Sequence, residues 1–110
     1  MIIQDTITYL VDLSLASTQT GPSIEVKGSD LYSIEAVVTA ASSLNGTLKI
    51  QVSVSGNNWS DLTGSTLTLT TDGTSIYSIS EVAYNYVRLV WTRTGGSGTL
   101  NATVSRKRSS

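Results

Sequence analysis

Thr47-Leu48-Lys49-Ile50-Gln51-Val52-Ser53-Val54, running into Ser55-Gly56-Asn57-Asn58-Trp59-Ser60, is the stretch whose reading decides the fold. Leu48, Ile50, Val52 and Val54 fall on one side, and Thr47, Lys49, Gln51 and Ser53 on the other. That is the two-residue period of a half-buried strand. An apolar side of this kind has to be covered, and the flanking sequence supplies covers of the same type.

Upstream, residues 31–41 alternate again, with Tyr32, Ile34, Ala36, Val38 and Ala40 on one face. Asn45-Gly46 offers the positive φ of a tight connection, so these two strands are expected to pair with each other as an antiparallel hairpin. Downstream, Ser65-Thr66-Leu67-Thr68-Leu69-Thr70 alternates, and Asp72-Gly73 reads as a hairpin turn into Thr74-Ser75-Ile76-Tyr77-Ser78-Ile79. A bend at residues 81–85 leads to residues 86–93, with Val87, Leu89 and Trp91 inward. Gly95-Gly96-Ser97-Gly98 then turns the chain into residues 99–104, with Leu100, Ala102 and Val104 inward.

Toward the N-terminus, Ile7, Tyr9, Val11, Leu13 and Leu15 share a side, with Leu10 the exception. A helix can also be drawn through Ile7, Leu10, Val11 and Leu15, but the Thr and Ile content and the lack of caps favour a strand. Residues 17–30 read as a loop around a short edge strand, Ile24-Glu25-Val26, with the chain's one proline, Pro22, where a missing donor does least harm. The sum is an all-β fold: one antiparallel β-sandwich of about seven or eight strands, jelly-roll-like or immunoglobulin-like in its connections. It is expected to span residues 1–110 as a single domain, with 105–110 a short, solvated basic tail.

Composition narrows function by exclusion. With no Cys and no His, ordinary zinc sites, thiol nucleophiles, imidazole bases and disulfides are ruled out, and no cofactor is expected. Only 14% of residues are charged, the net charge is -1, and Ser and Thr make up about a third of the chain, far above their usual share. A surface that is polar without being charged argues against nucleic acid or an anionic membrane as partner. No basic segment followed by an apolar run opens the chain, and no apolar run approaches the roughly 18 residues of a membrane helix. A soluble body made in a cytosol is expected.

Each candidate site has a structural reading beside its functional one. Asn58 and Trp59, with Tyr84 and Tyr86, would make a stacking platform for a sugar. Against that, Trp59 reads first as a lid over the end of the core, and Tyr84 or Tyr86 as a corner tyrosine whose hydroxyl caps backbone. Asp61, Asp72 and Glu81 lack the spacing of a calcium loop, and Asp72-Gly73 is accounted for by turn chemistry. Three matches to the glycosylation pattern, at Asn45, Asn58 and Asn101, are what so Ser- and Thr-rich a chain produces by chance. More informative are Leu10, Val37 and Val90, apolar side chains on the polar sides of orderly strands. They imply an outer sheet face covered by another chain.

The run Gln51-Val52-Ser53-Val54-Ser55-Gly56-Asn57-Asn58-Trp59-Ser60-Asp61-Leu62, followed by Tyr86-Val87-Arg88-Leu89, resembles two groups of proteins. One is the discoidin-like galactose-binding sandwiches. That family is longer and carries a terminal cysteine pair absent here, so no sugar- or calcium-binding residue is carried over from it. The other is a set of small virion proteins of tailed bacteriophages. The resemblance to these includes the Thr-rich segment from Thr66 to Thr74 and the Gly-Thr-Leu-Asn-Ala of residues 98–102, and it extends roughly from Leu48 to Val104. It implies a structural component of a bacteriophage virion, a capsid decoration (cement) protein or a tail-associated one. Its expected partners are copies of itself and other virion proteins such as a major capsid protein, with assembly in the host cytoplasm. The alternative is a carbohydrate- or cell-surface-binding module built on Trp59 and the nearby tyrosines. An enzyme is not expected.

Overall fold

The computed structural model describes residues 2–80 and 83–109, with side chains for 4–80 and 83–107. Eight strands follow in order: β1 (Ile2–Ser14), β2 (Gln19–Thr20), β3 (Ile24–Glu25), β4 (Leu31–Ser53), β5 (Ser60–Asp61), β6 (Leu67–Leu69), β7 (Gly73–Ile79) and β8 (Tyr86–Ser109). Two of them are too long for the body that holds them. Held straight, the 23 residues of β4 would reach about 76 Å, yet the longest dimension of the molecule is 45 Å. Both long strands therefore bend, and they bend together.

The pairing register locates the bend. Residues 31–39 of β4 lie against residues 99–107 of β8, and residues 46–53 against 86–93, all antiparallel, with register shifts between Thr39 and Gly46. At this corner Ala40 and Ser43 have φ of 54° and 50°, and Gly96 has φ of 72°. A Cβ on Gly96 would run into the Ser43 carbonyl, so the strands can cross this closely only with glycine there. The outer ribbons bend at the same place. β7 flanks the first half of β4, whereas β6 and β5 flank its second half. β1 likewise flanks the second half of β8, and β2 and β3 its first half.

The result is one continuous antiparallel sheet of four ribbons folded over into two layers, β1-β8-β4-β7 and β2/β3-β8-β4-β5/β6. Counted along the chain, the ribbons lie side by side as first, fourth, second and third, the arrangement of a jelly roll rather than of an immunoglobulin domain. The core lies between the layers. Ile34, Ala36, Val38, Leu100, Ala102 and Val104 face Leu48, Ile50, Val87, Leu89 and Trp91, all buried. Tyr77 donates across the layers to the Leu48 carbonyl at 3.2 Å.

Four of the sequence expectations do not hold in the structure. Residues 31–41 and 47–54 do not pair with each other, because Asn45-Gly46 lies within one bent strand whose partner on both sides is β8. Asp72-Gly73 is not a hairpin: β6 and β7 pair with different halves of β4, and Asp72 Oδ1 accepts from the Ala41 amide at 2.8 Å, pinning the corner. Leu10 is core, at 6% exposure, because register shifts on either side of it and a φ of 50° at Asp12 break the alternation of β1 and expose Val11 instead. Nor is the basic ending a free, solvated tail as far as Ser109. It continues as β8, Arg106 donating to the Glu25 carbonyl at 2.6 Å and to Asp5 at 3.3 Å.

Candidate functional site

Strand register builds a polar ladder on the outer face of the second layer. Gln51 of β4 stands opposite Arg88 on one side and Asp61 on the other, and Lys49 stands opposite Val90. Arg88 donates through Nε and Nη2 to Gln51 Oε1 at 2.9 and 2.7 Å. Gln51 Nε2 donates to Asp61 Oδ1 at 3.0 Å, and Lys49 Nζ to Asp61 Oδ2 at 3.0 Å. These two hydrogen bonds, from Gln51 and then Lys49, hold the exposed Asp61 carboxyl below the ordinary range.

Trp59 belongs to this face. The Arg88 guanidinium carbon lies 4.2 Å from its ring centroid, a cation–π contact. Trp59 is therefore not a lid over the core, and one face of its ring is already covered. Nothing in the local sequence foretells this, since the partner sits 29 positions downstream on the other long strand.

The four platform candidates separate. Tyr84 turns its hydroxyl onto that of Tyr32 at 2.8 Å, with the rings edge-on at 6.2 Å and 78°. Tyr86 packs beside Gly56. Asn58 and Tyr84 share a shallow depression of about 500 Å³ with Val52, Val54 and Ala83, but neither Trp59 nor Tyr86 lines it. Besides Tyr77, a second backbone-bonding tyrosine is one the sequence reading did not single out for that role. Tyr9 donates to the Pro22 carbonyl at 2.5 Å and accepts from the Leu89 amide at 3.1 Å. Its only sequence signal is the nearby Gly21-Pro22 turn.

Val37 and Val90 are both half-buried, but they belong to different layers. Val37 stands between Thr74 and Asn101 on the first, and Val90 beside Lys49 on the second. They therefore mark two opposite outer faces and not one patch. Among the described residues no group of three acidic side chains could hold a metal. Asp61 and Asp72 are each engaged where they stand, and Glu81 lies outside the described residues.

No family model matches the chain, and no curated protein matches it in sequence. Solved structures match in fold. YomS, a protein derived from the SPBc2 prophage, superposes with a TM-score of 0.60 at 14% identity, over 96% of this chain and 95% of that one. VP2 of infectious bursal disease virus, in its subviral particle, gives 0.60 at 17% identity. The match takes in 97% of this chain but only 33% of VP2, so the chain spans about a third of that protein. A protein of Bacillus endospore appendages, described as disulfide-linked pili, gives 0.52 at 16% identity over 98% and 89%. The all-β sandwich expected from the alternating strands is thus a fold found in prophage and viral proteins.

Proposed function

We propose that this chain is a structural component of a bacteriophage particle, a capsid decoration protein that works by being packed against copies of itself and the shell. The observation that carries the reading is the end-to-end match in fold to a prophage protein of the same extent. Composition supports it. A chain without Cys or His has neither thiol nor imidazole chemistry, which suits a part that acts by burying surface, and it cannot be joined to its neighbours by disulfides as the endospore pili are described to be. One contact of roughly 1,000 Å², repeated by symmetry, gives an avidity that no single contact has. Two outer faces, marked by Val37 and Val90, allow one side to meet the shell and the other a neighbouring copy.

Single variants Val37→Lys and Val90→Lys test this. Each side chain is at a surface, so stability should change by only about 0.5 kcal/mol. A lysine trapped in an interface is expected to lower incorporation into particles about tenfold or more for at least one of them. Wild-type incorporation of both, measured by quantitative mass spectrometry of washed particles, would overturn the proposal. A carbohydrate-binding role has one observation in its favour, the depression lined by Asn58 and Tyr84. Trp59 lies outside that depression.

A further inference from the structure

Folding four ribbons into two layers leaves four sheet edges, and three of them are guarded. β2, β3 and β5 are two residues long and β6 three, too short to template another strand. β1 is long, but it is broken by register shifts on either side of Leu10 and carries Asp5 and Asp12. The fourth edge is β7. Its seven residues, Gly73-Thr74-Ser75-Ile76-Tyr77-Ser78-Ile79, run in unbroken register with β4 from Val38↔Gly73 to Tyr32↔Ile79 and, among the described residues, pair with no other strand. It has no charge, no proline and no bulge, none of the devices that keep an edge from pairing. Ile76, at its centre, is 63% exposed.

We infer that β7 is the docking edge for a second copy of this chain, joined antiparallel about a two-fold axis centred on Ile76. The two first layers then form one eight-stranded sheet. The sequence of the strand fits this occupant. Centring on Ile76 sets Ile76 against its copy, Thr74 against Ser78 on the outer face, and Ser75 against Tyr77 on the inner one, so apolar meets apolar and hydroxyl meets hydroxyl. No like charges are opposed along the edge. The nearest carboxylate beside Ile76, that of Glu35 on β4, comes within three strand spacings of its copy, about 14 Å, beyond the roughly 8 Å over which exposed charges interact at physiological salt.

The flank beneath the edge points the same way. Between β7 and the opposite layer lies an open groove of about 280 Å³ lined in part by Leu62, Leu67 and Ile79, all half-buried, which a second copy would close. Seven residues at about 3.4 Å each, across the 21 Å thickness of the body, cover roughly 500 Å² per copy, or about 1,000 Å² in all. That is the lower bound for a specific interface. The dimer is accordingly a concentration-dependent one.

Sedimentation velocity on the purified chain tests this apart from any particle. Wild type is expected to pass from monomer to dimer as concentration rises to about 1 mM. Ile76→Lys and Ile76→Glu, at an exposed position, should each stay monomeric by opposing like charges, with dimerisation weakened about tenfold or more. An equal mixture of the two should restore the dimer, which a misfolded variant would not do. A wild type that stays monomeric throughout, or an Ile76→Lys variant that dimerises as wild type does, overturns the inference. Either result leaves the proposed place in a particle to be judged on incorporation.

Discussion

Trp91→Ala is expected to lose about 3–5 kcal/mol of stability, a fifth or more of the roughly 5–15 kcal/mol that holds a domain together. The indole is 1% exposed and lies at the corner where three ribbons meet. Its Nε1 donates to the Leu15 carbonyl at 3.1 Å. Its ring occupies the space above Gly46, where a Cβ would come within 2.6 Å of it. Truncation removes the packing of both layers at once and leaves a buried carbonyl without its donor. Trp59→Ala is the matched comparison, because that ring lies on an outer face under Arg88 and should cost only about 1 kcal/mol or less. Urea denaturation of the two variants measures the contrast. Equal losses would mean that Trp59 is built into the core after all.

The second large effect is alkaline. Four tyrosine hydroxyls are held above their ordinary range. Burial is the main cause for each, reinforced at Tyr32 by its hydrogen bond to Tyr84 and opposed at Tyr9 by its bond to the Leu89 amide. Tyrosine in the unfolded chain ionises near pH 10. The raised folded values therefore stabilise the protein in full below pH 10 and lose that contribution as pH climbs through them. Tyr32 and Tyr77, both buried in the core, should together withdraw about 3 kcal/mol by pH 11. Denaturant midpoints measured from pH 8 to 11 are expected to hold level up to about pH 10 and then fall. A midpoint unchanged at pH 11, or an unchanged slope in Tyr32→Phe/Tyr77→Phe, would contradict the assignment.

Much of the sandwich is legible in the sequence because alternation survives wherever a ribbon runs straight. Tyr32, Ile34, Ala36 and Val38, then Leu48 and Ile50, then Val87, Leu89 and Trp91 all face inward as their period demands. Where strands end or bend, the period fails. Val54 reads as inward but is 66% exposed, since β4 stops at Ser53 and it is Ser53 that is buried, its hydroxyl taking the Gly56 amide at 2.8 Å. The corner itself was not legible. Its positive-φ positions include Ala40 and Ser43, which carry no sequence signature for that conformation. The glycines that do stand near it read equally well as hairpin turns. The surface is harder still. Trp59, Arg88, Gln51, Asp61 and Lys49 come from three separate strands and turns, and only the register of β4 against β5 and β8 brings them into one chain of contacts.

The same register ties the two layers into one body. Each ribbon contributes to both layers, so neither layer stands without the other, and the two outer faces are fixed relative to one another by the backbone.

The account rests most directly on where the protein is found. Quantitative mass spectrometry of gradient-purified, salt-washed particles from producing cells is predicted to find this chain in a fixed ratio to the shell protein, as symmetry requires of a packed component. Particles that lack it, with the folded protein left free in the lysate, would contradict the account.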